Sequence, residues 1–191
     1  MKTITASRKA VKKMSGKDSR KTMKPSSKEG LELIFEDLLK DIYWAEKYLT
    51  KVLPKFAKAS HNEELREAFE NHLGQTQLQI TRIEACFDLM EKKAAAKKCD
   101  AMEELAKEGT EAIENHAKGH ARDAALIAAA QKVEHYEISS YGTLRTMANV
   151  LGKVQCAALL EETKDEEAET DEKLTTLSDK INQLAIAPDL V

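Results

Sequence analysis

Glycine and proline are scarce in this 191-residue chain, with seven and three copies, and aromatic residues make up only 5%. Few turn formers, few aromatics and 33% charged residues favour long helices over a sheet protein. There are three cysteines, Cys86, Cys99 and Cys156, odd in number and far apart. They form neither a disulfide framework nor a CxxC zinc pattern, so the expectation is reduced thiols in a cytoplasm. No apolar run reaches the roughly 18 residues that would suggest a membrane span. No apolar h-region follows the first residues, so a secretory signal is not expected. Walker, Rossmann and zinc-finger spacings are also missing.

What is present is a strong division of charge. Residues 1–28 hold ten Lys/Arg against the single acid Asp18, a charge of +9, so the other 163 residues carry −12 of the net −3. The basic part is rich in Ser and Thr, poor in large apolar residues, and ends near Pro25-Ser26-Ser27. It reads as a disordered arm over 1–28 followed by one acidic domain over 29–187. Ten cations on a flexible chain should bind polyanions such as DNA without sequence preference, with Lys9, Lys12, Lys13, Lys17, Arg20 and Lys21 as the main contacts. With about six phosphates engaged, log K should fall against log salt with a slope of about −5. A low-salt mobility shift comparing the full chain with one starting at Lys28 checks this, and equal shifts from both would remove the arm from the account.

The acidic domain contains four long apolar stripes at heptad-like spacing. The first is Leu31, Phe35, Leu38, Ile42, Ala45, Leu49, Val52 and Phe56, with Ser26 or Ser27 as N-cap and Glu29 in the first turn. The second runs Leu65, Phe69, His72, Thr76, Gln79, Ile83, Phe87 and Met90, with Asn62 as cap. The third runs from about Arg122 through Ile127, Ala130, Glu134, Glu137, Tyr141, Leu144, Ala148 and Leu151. The fourth is Cys156, Leu160, Thr163, Glu167, Thr170, Leu174, Leu177, Ile181 and Leu184. Such stripes predict helices packed nearly antiparallel in a four-helix bundle. Short connections at 59–63 and 151–155 make two helical hairpins, and the long stretch 91–121, with a weaker helix near Met102–His116, makes a crossover between them. Pro54 should kink the first helix or make it locally irregular.

Polar residues interrupt these stripes at one height. Counting outward from each turn, Glu46 lies level with a point between His72 and Gln79, and Glu134 and Glu137 lie level with Glu167 and Asp171. At ~1.5 Å per residue each group fits within about two turns. A lone glutamate at a stripe edge ordinarily reaches water or pairs with Lys or Arg. Several carboxylates meeting inside a bundle would repel and lose their hydration, and a polyvalent cation relieves both costs. The expected metal ligands are Glu46, His72, Glu134, Glu137 and Glu167, with Glu166 replacing Glu167 if the fourth helix is rotated. Carboxylates with one imidazole suit iron or manganese, as one or two ions. A faint repeat supports the layout: "AEKYL" (45–49) pairs with "VEHYE" (133–137) and "HLGQT" (72–76) with "LLEET" (159–163), at offsets of 88 and 87 residues.

The strings "DAALIAAAQKVEHYEISSYGTL" (123–144), "DIYWAEKYLTKVLPKFAKAS" (41–60) and "LLEETKDEEAETDEKLTTL" (159–177) closely resemble the YciE/YciF family. The resemblance covers about residues 31–185. It implies an all-α, ferritin-like four-helix bundle of two antiparallel hairpins, often a homodimer, associated with bacterial stress responses. In the ferritin-like pattern Glu46 and Glu134 match the lone glutamates and Glu167 matches the glutamate of the fourth helix. Thr170 stands where a histidine would follow it, Gln79 and Arg82 occupy the Glu-x-x-His places of the second helix, and Gln75 stands where relatives typically carry Glu. Two functions are therefore expected as alternatives. One is a cytoplasmic, di-iron- or manganese-type metal protein able to oxidise Fe(II). The other is a non-enzymatic helical stress protein whose arm binds nucleic acid or acidic partners.

Overall fold

A computed structural model describes residues 26–186. Five helices follow in order: α1 Ser27–Ala59, α2 Glu63–Leu89, α3 Asp100–Asn115, α4 His120–Val150 and α5 Val154–Ile186. The basic arm's lysines and arginines up to Lys24 lie outside the described residues, whereas Lys28 already belongs to the first turn of α1.

The helix ends follow from local chemistry. Ser26 Oγ accepts the Glu29 N–H at 3.3 Å and the Glu29 carboxylate accepts the Ser26 N–H at 2.8 Å, a capping box that sets the start of α1. Asn62 Oδ1 accepts from Leu65 N and starts α2. At the end of α4, Lys153 N donates to Ala148 O (2.8 Å) and Gly152 N to Asn149 O (3.1 Å), with Gly152 at φ +74°. This pairing needs a left-handed residue, which glycine supplies without a Cβ clash. Pro54 does not end α1, which continues to Ala59. Pro54 is exposed on α1, so the lost N–H deprives only the Thr50 carbonyl of its partner within the helix.

Each of the four long helices touches two others: α1 meets α2 and α4, and α5 meets α2 and α4. Three-residue turns make α1/α2 and α4/α5 antiparallel hairpins. Side-chain pairs fix the remaining two contacts. Glu64 meets Lys180 at one end of α2 and Arg82 meets Glu162 near the other, so α2 and α5 run antiparallel. Asp123, at the start of α4, meets the end of α1, while Tyr141, farther along α4, reaches Glu46. The ring therefore closes with every neighbour antiparallel, and the crossover has to travel the bundle's length.

Helix α3 makes that journey along the α1–α4 edge. Lys97 N donates to Lys40 O at 3.0 Å, and the Tyr136 hydroxyl, 3.0 Å from Cys99 Sγ, donates to Asp41 Oδ2 at 2.8 Å. Further along α3, Gly109 lies against the Phe56 ring so closely that a Cβ would overlap it. Among the described residues no helix is long and apolar enough to cross a membrane.

One buried charge in the fold is explained without any ligand. Asp123 is fully buried, and its two oxygens accept the backbone N–H groups of His61 and Asn62, each at 2.8 Å. It ties the first turn to the start of α4. Asp123→Ala strands both donors and should destabilise the protein by about 2 kcal/mol in a urea titration. Metal uptake should stay unchanged, because the residue stands at the end of the bundle.

Candidate metal centre

The mid-level of the bundle is polar although it is buried. Glu46, His72, Thr76, Gln79, Glu134, Glu137, Thr163, Glu167 and Thr170 are all buried there, contributed by all four long helices. The threonines satisfy themselves, each hydroxyl donating to its own i−4 carbonyl: Thr76 to His72, Thr163 to Leu159 and Thr170 to Glu166. Thr76 and Thr163 stand 87 residues apart, at the second repeat offset.

The acids have no such remedy. His72, Glu134, Glu137 and Glu167 each place a donor atom within 4.8 Å of the others. His72 Nε2 lies 3.4 Å from Glu134 Oε1 and 3.7 Å from Glu167 Oε2. Both ring nitrogens of His72, both oxygens of Glu137 and Glu167, and one oxygen each of Glu46 and Glu134 lack a hydrogen-bond partner. Buried polar atoms are nearly always paired, so this concentration at one point calls for a ligand.

Glu46, expected as a ligand, borders this cluster. One of its oxygens accepts a hydrogen bond from the Tyr141 hydroxyl, and it lies within hydrogen-bonding reach of Glu137. Glu167, rather than Glu166, faces the interior. Glu166 is turned aside to Arg82, whose Nη1 and Nη2 donate to its two oxygens at 2.7 Å each. His135 is exposed and lies 3.4 Å from Asp171, while His61 and His120 face each other beside the first turn, away from the cluster. Tyr141 reads in the sequence as a plain core residue. Its hydroxyl partner is 95 positions away, and no periodicity along one helix points to it.

Electrostatics at the cluster are dominated by burial. Loss of water pushes the Glu46, Glu134 and Glu137 carboxyls well above the ordinary carboxylate range, with neighbouring glutamates adding to the shift. Burial likewise brings Glu167 up to about 7, while the Arg82 charge works in the opposite direction. Burial pushes His72 down to about 4, which leaves a neutral imidazole with a free lone pair at neutral pH. Without a metal, burial and mutual repulsion favour the protonated, uncharged form of these carboxyls.

The donor set therefore fits a hard or borderline cation: carboxylate oxygens and one neutral nitrogen, buried, convergent and otherwise unsatisfied. A cavity of about 600 Å³ between α2 and α5 reaches this point from solvent, with His72 and Glu134 on its wall. Glu67, Glu169 and Glu172 also line it, a charge pattern that favours entering cations.

The sequence pattern of a domain of unknown function, DUF892, matches residues 30–187. Protein YciF of Escherichia coli strain K12 is 52% identical over 149 residues, covering 78% of this chain and 90% of that protein. The crystal structure of that organism's stress protein YciF matches with a TM-score of 0.78 at 51% identity, covering 80% of this chain and 97% of the other. YcfI from Rhodopseudomonas palustris matches with a TM-score of 0.75 at 36% identity, covering 83% and 97%.

Proposed function

The chain belongs to the YciE/YciF family, which carries the DUF892 domain, and we propose that it is a ferritin-like protein binding iron or manganese in its buried glutamate–histidine layer. The observation that carries this reading is the set of buried, convergent carboxyl and imidazole atoms left without hydrogen-bond partners. Glu134, Glu137 and Glu167 would supply oxygens and His72 a nitrogen, with Glu46 alongside and oriented by Tyr141. Bound iron would supply one-electron chemistry toward dioxygen or peroxide.

The chain's own residues set the conditions for that chemistry. His72 stays neutral, so its nitrogen is free without first losing a proton. The carboxyls must release the protons that burial keeps on them, so uptake releases protons and strengthens as pH rises. Phe35, Leu39, Leu49, Leu126, Leu144 and Leu160 are buried elsewhere in the core, and the cavity between α2 and α5 gives solvent and ions a way to His72 and Glu134.

Anaerobic titration with Fe(II) and with Mn(II) tests the binding, and peroxide added to the Fe(II)-loaded protein tests the oxidation. Binding with oxidation no faster than in buffer would keep the metal site and remove the redox role. The +9 arm supports a second activity, non-specific attachment to DNA or another polyanion. In a homodimer two arms would act together, and the second would bind at raised effective concentration.

A further inference from the structure

Two to three turns along α2 from His72, Gln79 and Arg82 face α5 beside the carboxylate cluster. These are the i and i+3 positions at which a two-metal bundle would place its second Glu-x-x-His pair. Here neither position offers an anionic or imidazole ligand: Arg82 is fully engaged, and Gln79 is a neutral amide with only its Oε1 left unpaired. Arg82 grips the two Glu166 oxygens at 2.7 Å each, donates to Glu162 Oε1 at 2.7 Å and reaches Thr163 Oγ1 at 3.5 Å. Gln79, fully buried, donates its Nε2 to Glu166 Oε2 at 3.1 Å. On α5 the corresponding histidine position holds Thr170, whose hydroxyl is bonded to Glu166 O. Glu46 gives one oxygen to Tyr141. Among the described residues, convergent donors gather at one point only, from His72, Glu134, Glu137 and Glu167.

We infer that the Arg82 guanidinium stands in for a second metal ion, so that this chain holds a single divalent cation between three carboxylates and one imidazole. The inference rests on the metal reading above and narrows it. Arg82 is a permanent cation, fixed by two-pronged contact with Glu166. It supplies positive charge to Glu166 and Glu167, the electrostatic role a second ion would have, and it repels a second ion placed beside it.

Anaerobic Mn(II) titration, with weakly held ions removed by gel filtration and the bound ion read by electron paramagnetic resonance, tests this. The wild-type chain should retain one ion with an uncoupled manganese signal. Gln79→Glu combined with Arg82→His should retain two, with the signal of an exchange-coupled pair. Two coupled ions in the wild type would overturn the inference while leaving the metal site standing. So would a single ion in the double variant, provided circular dichroism shows it folded. If the double variant fails to fold, the wild-type count decides alone. A wild type that retains no ion defeats the metal reading itself.

Discussion

Glu134→Ala should weaken metal binding by about 100-fold or more while leaving the helical circular dichroism signal intact. Loss of partners one shell removed from a metal already costs ~10–100-fold, and here a ligand itself is deleted. Glu134 is 2% exposed, one of its oxygens lies 3.4 Å from His72 Nε2, and the other has no partner. It therefore contributes little packing that its burial as an acid does not offset. The metal-free variant should be at least as stable as the wild type, because a desolvated acid has been removed from among its neighbours. A salt-bridge role would give the opposite pattern, with stability lost and metal uptake unaffected. Equilibrium metal titration together with urea unfolding of the same preparation separates the two.

The second large effect is on stability against pH and metal. The cluster carboxyls have folded pKa values raised above their unfolded value of 4.5, Glu167 to about 7 and the others well above the ordinary range. For an acid with a raised folded pKa, the native state keeps protons that the unfolded chain has released. Metal-free stability should therefore fall as pH rises from about 4.5 through 7. His72, lowered from 6.5 to about 4, opposes this between those values, but it is one group against four. Metal should reverse the trend, since it takes the place of the protons on the carboxyls. At a hundred times Kd it should stabilise the fold by about 2.7 kcal/mol. For a domain of this size that raises Tm by about 5–11 °C. The rise should shrink toward zero near pH 5. Glu137→Gln should lift metal-free stability at pH 8 and reduce the metal response. Thermal unfolding at pH 5, 6.5 and 8, with and without Mn(II), measures all of this, and a metal response independent of pH would contradict it.

Much of this arrangement is legible in the sequence because a bundle repeats one rule along four helices. The apolar stripes locate the helices, and counting outward from the two turns places Glu46, His72, Glu134, Glu137 and Glu167 at one height. That count needs only the rise of a helix and an antiparallel hairpin. The fine division of roles was not legible in that way. Whether Glu166 or Glu167 faces inward depends on the rotation of α5, and only contact with Arg82 on α2 decides it. The Tyr141–Glu46 bond crosses from α4 to α1, a pair whose register is set by the long crossover, so no count from a short turn reaches it. Asp123 reads as one more charge at a helix start, yet both its oxygens serve the turn at the far end of α1. Helix α1 continues through Pro54 to Ala59, because one lost hydrogen bond on an exposed face is a small cost beside the burial of Val52, Leu53 and Phe56.

If the buried carboxylates hold a metal, the ion should be visible among them. Anomalous diffraction from crystals of the full chain, grown anaerobically with Mn(II), tests it most directly. A strong peak is expected inside the bundle, in coordination contact with His72, Glu134, Glu137 and Glu167. A well-ordered cluster with no peak there, or peaks confined to surface carboxylates, would contradict it.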